Sequence, residues 1–88
     1  MKDDVTFSPE GFQDYLHWQS QDKRTLDRIN RLIRDIQRNG MSEGIGKPEA
    51  LRNQDGWSRR IDEKNRLMYR EENGNLYITS CRGHYKDH

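Results

Sequence analysis

Arg59, Arg60, Arg66 and Arg70 fall in two short runs, Trp57-Ser58-Arg59-Arg60-Ile61 and Asn65-Arg66-Leu67-Met68-Tyr69-Arg70. A guanidinium is a planar fork that grips phosphate through two parallel hydrogen bonds. Several of them on one sheet surface would hold successive phosphates of a single nucleic-acid strand. The competing reading spends the same arginines on surface salt bridges to Asp62, Glu63, Glu71 and Glu72. His84, in the run Arg82-Gly83-His84-Tyr85, can give or take a proton near neutral pH. On its own, a histidine in such a place is more often an idle surface group, and His17 and His88 have no supporting neighbours at all.

Other chemistries are excluded by spacing. Glu43-Gly44-Ile45-Gly46-Lys47-Pro48-Glu49 superficially resembles a phosphate loop. That loop needs four residues between its first glycine and Gly-Lys, then Ser or Thr opening a helix, and here Pro48 follows the lysine. Ser58 and Ser80 have no base placed near them by any motif, so a serine nucleophile is not expected. The single cysteine, Cys81, permits no intrachain disulfide, and histidines 17, 84 and 88 give no zinc-ligand spacing. In the strand-like run 76–82, Cys81 reads as a small buried apolar residue. Neither a metal nor another cofactor is expected.

The elements that must position these groups are short. Val5-Thr6-Phe7 alternates as a strand, and Ser8-Pro9 opens a helix with Ser8 as N-cap and Pro9 in the first turn. Phe12, Tyr15, Leu16 and Gln19 follow at helical spacing. Asp22 caps a second helix whose Leu26, Ile29, Ile33 and Ile36 form one stripe, with Leu32 beside it. Asn39-Gly40 ends that helix, Gly40 being suited to a left-handed position. Residues 41–56 read as a loop with a turn or short strand at 49–52. Three alternating segments follow, the last two joined by Asn73-Gly74, a tight-hairpin signal. The predicted fold is α+β in one domain spanning 1–88, with its core at about 5–85. It has an N-terminal strand on a sheet edge, a helical hairpin, then an antiparallel meander with the helices on one face. Alternation leaves open which face of the sheet is the core. It does place Arg59 and Arg60 on opposite faces, so one of the two must lie near the helices or the rim.

Only 30% of the residues are hydrophobic and 35% are charged, so the core is thin, and a partner covering an apolar face would help the fold. Residues 1–22 carry one basic and five acidic side chains, and residues 23–88 carry fifteen and ten. The positive charge therefore lies in the segment that holds the arginine runs, which suits a nucleic-acid partner. No apolar run approaches the roughly 20 residues that would span a membrane, and none after Met1 reads as a signal peptide. The cytoplasm is the expected location.

Taken in order, Asp22-Lys23-Arg24, Ile29-Asn30-Arg31-Leu32-Ile33, Gly46-Lys47-Pro48-Glu49-Ala50-Leu51-Arg52, Trp57-Ser58-Arg59-Arg60-Ile61, Arg66-Leu67-Met68-Tyr69 and Cys81-Arg82-Gly83-His84-Tyr85 resemble the YoeB/Txe toxins. These belong to the RelE superfamily of bacterial toxin–antitoxin systems, and the resemblance runs from about Val5 to Tyr85. It implies a RelE-like microbial ribonuclease fold and a ribosome-dependent endoribonuclease that cuts messenger RNA in the A site and arrests translation. It also implies a YefM-type antitoxin as inhibitory partner and leaves a homodimer open. By motif, Glu49 matches the general base, Arg66 the phosphate-stabilising arginine, and His84 the general acid with Tyr85 beside it. Lys47, Arg52, Arg59 and Arg60 fall to RNA contact. Arg52 stands where a lysine is common, Ile45 where a basic residue is common, and residues 86–88 extend past the usual His-Tyr end. The alternative class is a module that binds RNA, the ribosome or an antitoxin without cutting.

Overall fold

A computed structural model describes residues 4–83. Strand β1 (Val5–Phe7) leads into helix α1 (Pro9–Gln21) and, after one residue, helix α2 (Lys23–Asn39). Strands β2 (Glu49–Ala50), β3 (Trp57–Arg60), β4 (Arg66–Glu72) and β5 (Asn75–Ser80) follow. Local chemistry explains the helix boundaries. The Ser8 hydroxyl accepts the Gly11 N–H at 2.9 Å, and Pro9 occupies the first turn, where its missing N–H costs nothing. Asp22 accepts from the Arg24 and Thr25 N–H groups and from the Thr25 hydroxyl. Gly40 ends α2 with φ of 95° and ψ of −177°. This conformation belongs essentially to glycine but is not the left-handed helical position expected from the sequence.

The strands form one five-stranded sheet in the order β1-β5-β4-β3-β2. The meander is antiparallel as predicted and β1 is at an edge, but β1 pairs with β5 in parallel, so the sheet is mixed. Parallel pairing needs a long crossover, which the two helices help to supply. The expected turn or strand at 49–52 is β2, which closes the opposite edge through Glu49 against Ser58 and Ala50 against Trp57. A bulge between β4 and β5 shifts the register at Met68, where the Thr79 hydroxyl donates to the Met68 carbonyl at 3.0 Å.

The helices cover one sheet face. Ile29, Leu32, Ile33 and Ile36 of α2 are buried with Leu67, Tyr69, Leu76 and Ile78 of the sheet and with Ile61 and Cys81. This settles the question that alternation left open: Leu67 and Tyr69 face the core, and Arg66, Met68 and Arg70 face away. Leu26 is only half-buried, and Thr25 is buried in its place at the edge of the stripe. Helix α1 docks differently from its predicted stripe. Phe12 and Leu16 remain exposed, while Tyr15 and Trp18 pack against the core and Gly11 makes the close approach. A Cβ on Gly11 would lie 2.6 Å from the Ile78 carbonyl oxygen, so only glycine lets the helix reach β5. Polar bonds complete the docking: Tyr15 Oη donates to Asn30 Oδ1 at 2.7 Å, and Trp18 Nε1 to the Cys81 carbonyl at 2.8 Å.

Candidate active site

On the sheet face turned away from the helices, three adjacent strands bring together residues that are distant in sequence. Glu49 on β2 is opposite Ser58 on β3, and Ser58 is opposite Met68 on β4. Arg66, two residues before Met68, shares its face. Arg66 Nη1 lies 3.1 Å from Glu49 Oε1 and 3.2 Å from Ser58 Oγ. The Arg66 side chain is 22% exposed and that of Glu49 63%. The pair is therefore open to a ligand on one side while the arginine is anchored on the other. Arg60 pairs with Arg66 across β3 and β4 and is exposed. Two like charges side by side repel, and the Glu49 carboxylate offsets part of that repulsion. An anion bound between them would offset more.

The end of the described chain is tied to the same place. Asp62 Oδ1 accepts from the Lys64 and Asn65 N–H groups, closing the β3–β4 turn. Burial would raise the Asp62 pKa, but the hydrogen bond from the Asn65 side-chain amide, with these two backbone bonds, outweighs it and holds the carboxyl below its ordinary range. Asn65 Oδ1 in turn accepts the Gly83 N–H at 2.8 Å, and the Arg66 N–H donates to the Gly83 carbonyl at 3.0 Å. The backbone of the residue before His84 is thus bonded to the backbone that carries the Arg66 side chain. His84 and Tyr85 themselves lie outside the described residues, as do residues 86–88.

The other sequence candidates separate clearly. Lys47 is exposed, with φ of 52°, between Gly46 and Pro48 and just before the Glu49 strand. Arg52 is exposed just beyond it. Arg60 projects from the open face. Arg59 does not: it has no exposed surface, and its Nη1 pairs with Asp35 Oδ2 at 2.5 Å. The expected RNA contact is corrected here, because Arg59 shares the core-facing side of β3 with Leu67 opposite. Of the salt bridges weighed against phosphate binding, Arg70 does pair with Glu72, and its guanidinium also lies over the Tyr77 ring at 4.5 Å. Arg66 instead finds Glu49. Ser58, dismissed as a nucleophile, is an anchor for Arg66. Asn65 was not anticipated, and its signal was the Asp62-x-x-Asn65 spacing of a side-chain-closed turn.

Residues 7–85 match the family model for the YoeB-like toxin of bacterial type II toxin–antitoxin systems. The chain belongs to that family. It is 49% identical over 83 residues to Toxin YoeB of Escherichia coli strain K12, covering 92% of this chain and 98% of that protein. Among solved structures, a heterotetrameric YoeB–YefM toxin–antitoxin complex from Staphylococcus aureus aligns with a TM-score of 0.87 at 42% identity, over 97% of this chain and all of that one. A YoeB dimer from the same organism aligns with a TM-score of 0.87 at 46% identity, over 93% and 97%. The family and its fold, expected from the ordered motifs, are thereby established for this chain.

Proposed function

We propose that this toxin is an endoribonuclease that cuts messenger RNA in the ribosomal A site and so arrests translation. The observation that carries the reading is the meeting of Glu49 and Arg66 at 3.1 Å on the open sheet face, 17 residues apart in the chain. RNA brings its own nucleophile. The Glu49 carboxylate takes the proton of the 2′-hydroxyl, and the 2′-oxygen forms a bond to phosphorus. The Arg66 guanidinium meets the charge that accumulates on the phosphorane oxygens. As the bond from phosphorus to the 5′-oxygen breaks, the His84 imidazolium gives that oxygen a proton. The products are a 2′,3′-cyclic phosphate, open to later conversion to a 3′-phosphate, and a 5′-hydroxyl. These steps call on a carboxylate, a guanidinium and an imidazole, and on no metal. Tyr85 is beside the acid, and Lys47, Arg52 and Arg60 hold the RNA backbone.

The partner that restrains the toxin is a YefM-type antitoxin, in keeping with the S. aureus complex, and the dimer of that relative supports a homodimer here. No helix among the described residues is long and apolar enough to cross a membrane, and the ribosomal substrate places the protein in the cytoplasm.

The test is cleavage of message on programmed ribosomes, with 5′ ends mapped and 3′ end groups identified. Wild type should cut within the translated region, and Glu49→Gln or His84→Ala should each slow cleavage by about 10²–10⁴-fold. Intact message with wild-type toxin would favour the non-cleaving module, and fully active variants would overturn the site.

A further inference from the structure

Arg59 is buried between the sheet and the loop after α2, and all five of its N–H groups have acceptors. Nε donates to the Tyr69 hydroxyl at 2.8 Å. Nη1 donates to Asp35 Oδ2 at 2.5 Å and to the Ile45 carbonyl at 3.0 Å. Nη2 donates to the carbonyls of Gly40 at 2.9 Å and Glu43 at 2.6 Å. The Tyr69 hydroxyl passes its own proton to the Met41 carbonyl at 2.7 Å, and Asp35 Oδ2 also accepts the Ile45 N–H at 3.0 Å. Four carbonyls of residues 40–45 are thus turned inward onto one guanidinium and one phenol.

That loop is otherwise irregular and mostly exposed, yet it leads directly into Glu49. Its far end is fixed where the Gly46 carbonyl accepts the Arg60 N–H at 2.7 Å. Strand β2 has two residues, a ladder too short to hold its own place on a sheet edge. Something outside β2 must therefore set where the Glu49 carboxyl stands relative to Arg66 and Ser58. Arg59 is suited to that task by its strand: Ser58, its neighbour, points into the site, and Arg59 points into the loop.

We infer that Arg59 is a positioning residue, holding residues 40–46 so that the Glu49 carboxylate stands beside Arg66, where it can reach the 2′-hydroxyl of a phosphodiester held by that guanidinium. The inference rests on the proposed role of Glu49. It explains why the residue is arginine: a lysine ammonium has three donors on a point and cannot serve five acceptors arranged as a fork.

The experiment uses full-length Arg59→Lys and Tyr69→Phe proteins, with Arg60→Ala as the exposed neighbour. Tyr69→Phe keeps the ring in the core and removes only the hydroxyl relay, so it tests the idea even where Arg59→Lys fails to fold. Cleavage on programmed ribosomes should show kcat reduced by about 10- to 100-fold with KM little changed, as a misplaced reactive group predicts. Arg60→Ala should instead raise KM. Amide hydrogen exchange supplies a readout that needs no cleavage. The Ile45, Leu51 and Arg60 amides should exchange faster in Tyr69→Phe, while those of Ile33 and Ile36 in α2 keep their rates. A raised KM with intact kcat would make Arg59 an RNA contact and overturn the inference, as would unchanged exchange at those three amides. Failure of wild type to cut message would overturn the proposed function instead, leaving the amides to decide this point.

Discussion

Replacing Asp35 by asparagine should weaken the fold at neutral pH and hardly at all in acid. The Asp35 side chain is 14% exposed and that of its partner Arg59 not at all, and the other four acceptors of that guanidinium are neutral. Asparagine keeps an oxygen for the Ile45 N–H but removes the countercharge that Asp35, among the described residues, pairs with the buried cation. A hydrogen bond to a charged group contributes about 1.5–3 kcal/mol, against a total near 4–13 kcal/mol for a chain of this size. The corresponding fall in Tm is roughly 6–24 °C.

The pH dependence follows from the direction of the Asp35 shift. Burial alone would raise its pKa, but hydrogen bonds from Arg59, the Ile45 N–H and Asn39, with the Arg59 charge, outweigh it and hold the group below its ordinary value of 3.8. Between the folded and unfolded values the unfolded chain binds more protons, so stability rises with pH there. The contribution is complete above the unfolded value and disappears as pH falls through the folded one. Urea unfolding followed by the fluorescence of Trp18 and Trp57 should therefore show the largest gap between wild type and Asp35→Asn near pH 7. The gap should narrow below about pH 3.8. Asp22 and Asp62 are shifted in the same direction but titrate in both proteins and cancel from the difference. A gap constant from neutral pH into acid would refute the argument, because it would mean that the ionised carboxylate contributes nothing beyond its shape.

Two further outcomes test the frame around the site. Ser8 caps α1 and donates to the Thr79 carbonyl at 2.8 Å, 71 residues away, so Ser8→Ala should cost about 1 kcal/mol or more; thermal unfolding should show a Tm lower by roughly 4–8 °C per kcal/mol. Cys81 is fully buried, and burial, with the Asp14 carboxylate second, pushes its thiol up to about 12. Iodoacetamide at pH 8 should then label the folded protein about three orders of magnitude more slowly than the urea-unfolded chain, and equal rates would show that the thiol is not buried.

What could be read from the sequence depended on how far each signal reaches. Ser8 and Asp22 announce their helices because a cap acts within three residues. The α2 stripe was legible because four apolar residues repeat on one side of one helix. The face of β4 was not, since Arg66-Leu67-Met68-Tyr69 offers an apolar residue to both sides, and only packing beneath α2 decides for Leu67 and Tyr69. Arg59 departs from its expected RNA contact because charge does not guarantee exposure: its side chain is buried. Its alternation with Trp57 and Ile61 set it among apolar neighbours, whereas Arg60 keeps step with Ser58. The partner that makes burial of Arg59 tolerable, Asp35, is 24 residues away, and no local rule could supply it. The meeting of Glu49 and Arg66 has the same character, since it exists only because β3 lies between their strands, and the motif resemblance pointed to it where periodicity could not. Strand β3 is accordingly the element that links the two halves of the site. Its alternate residues hold Arg66 through Ser58 on one face and the loop before Glu49 through Arg59 on the other, so both halves of the Glu49–Arg66 pair are tied to one short piece of backbone.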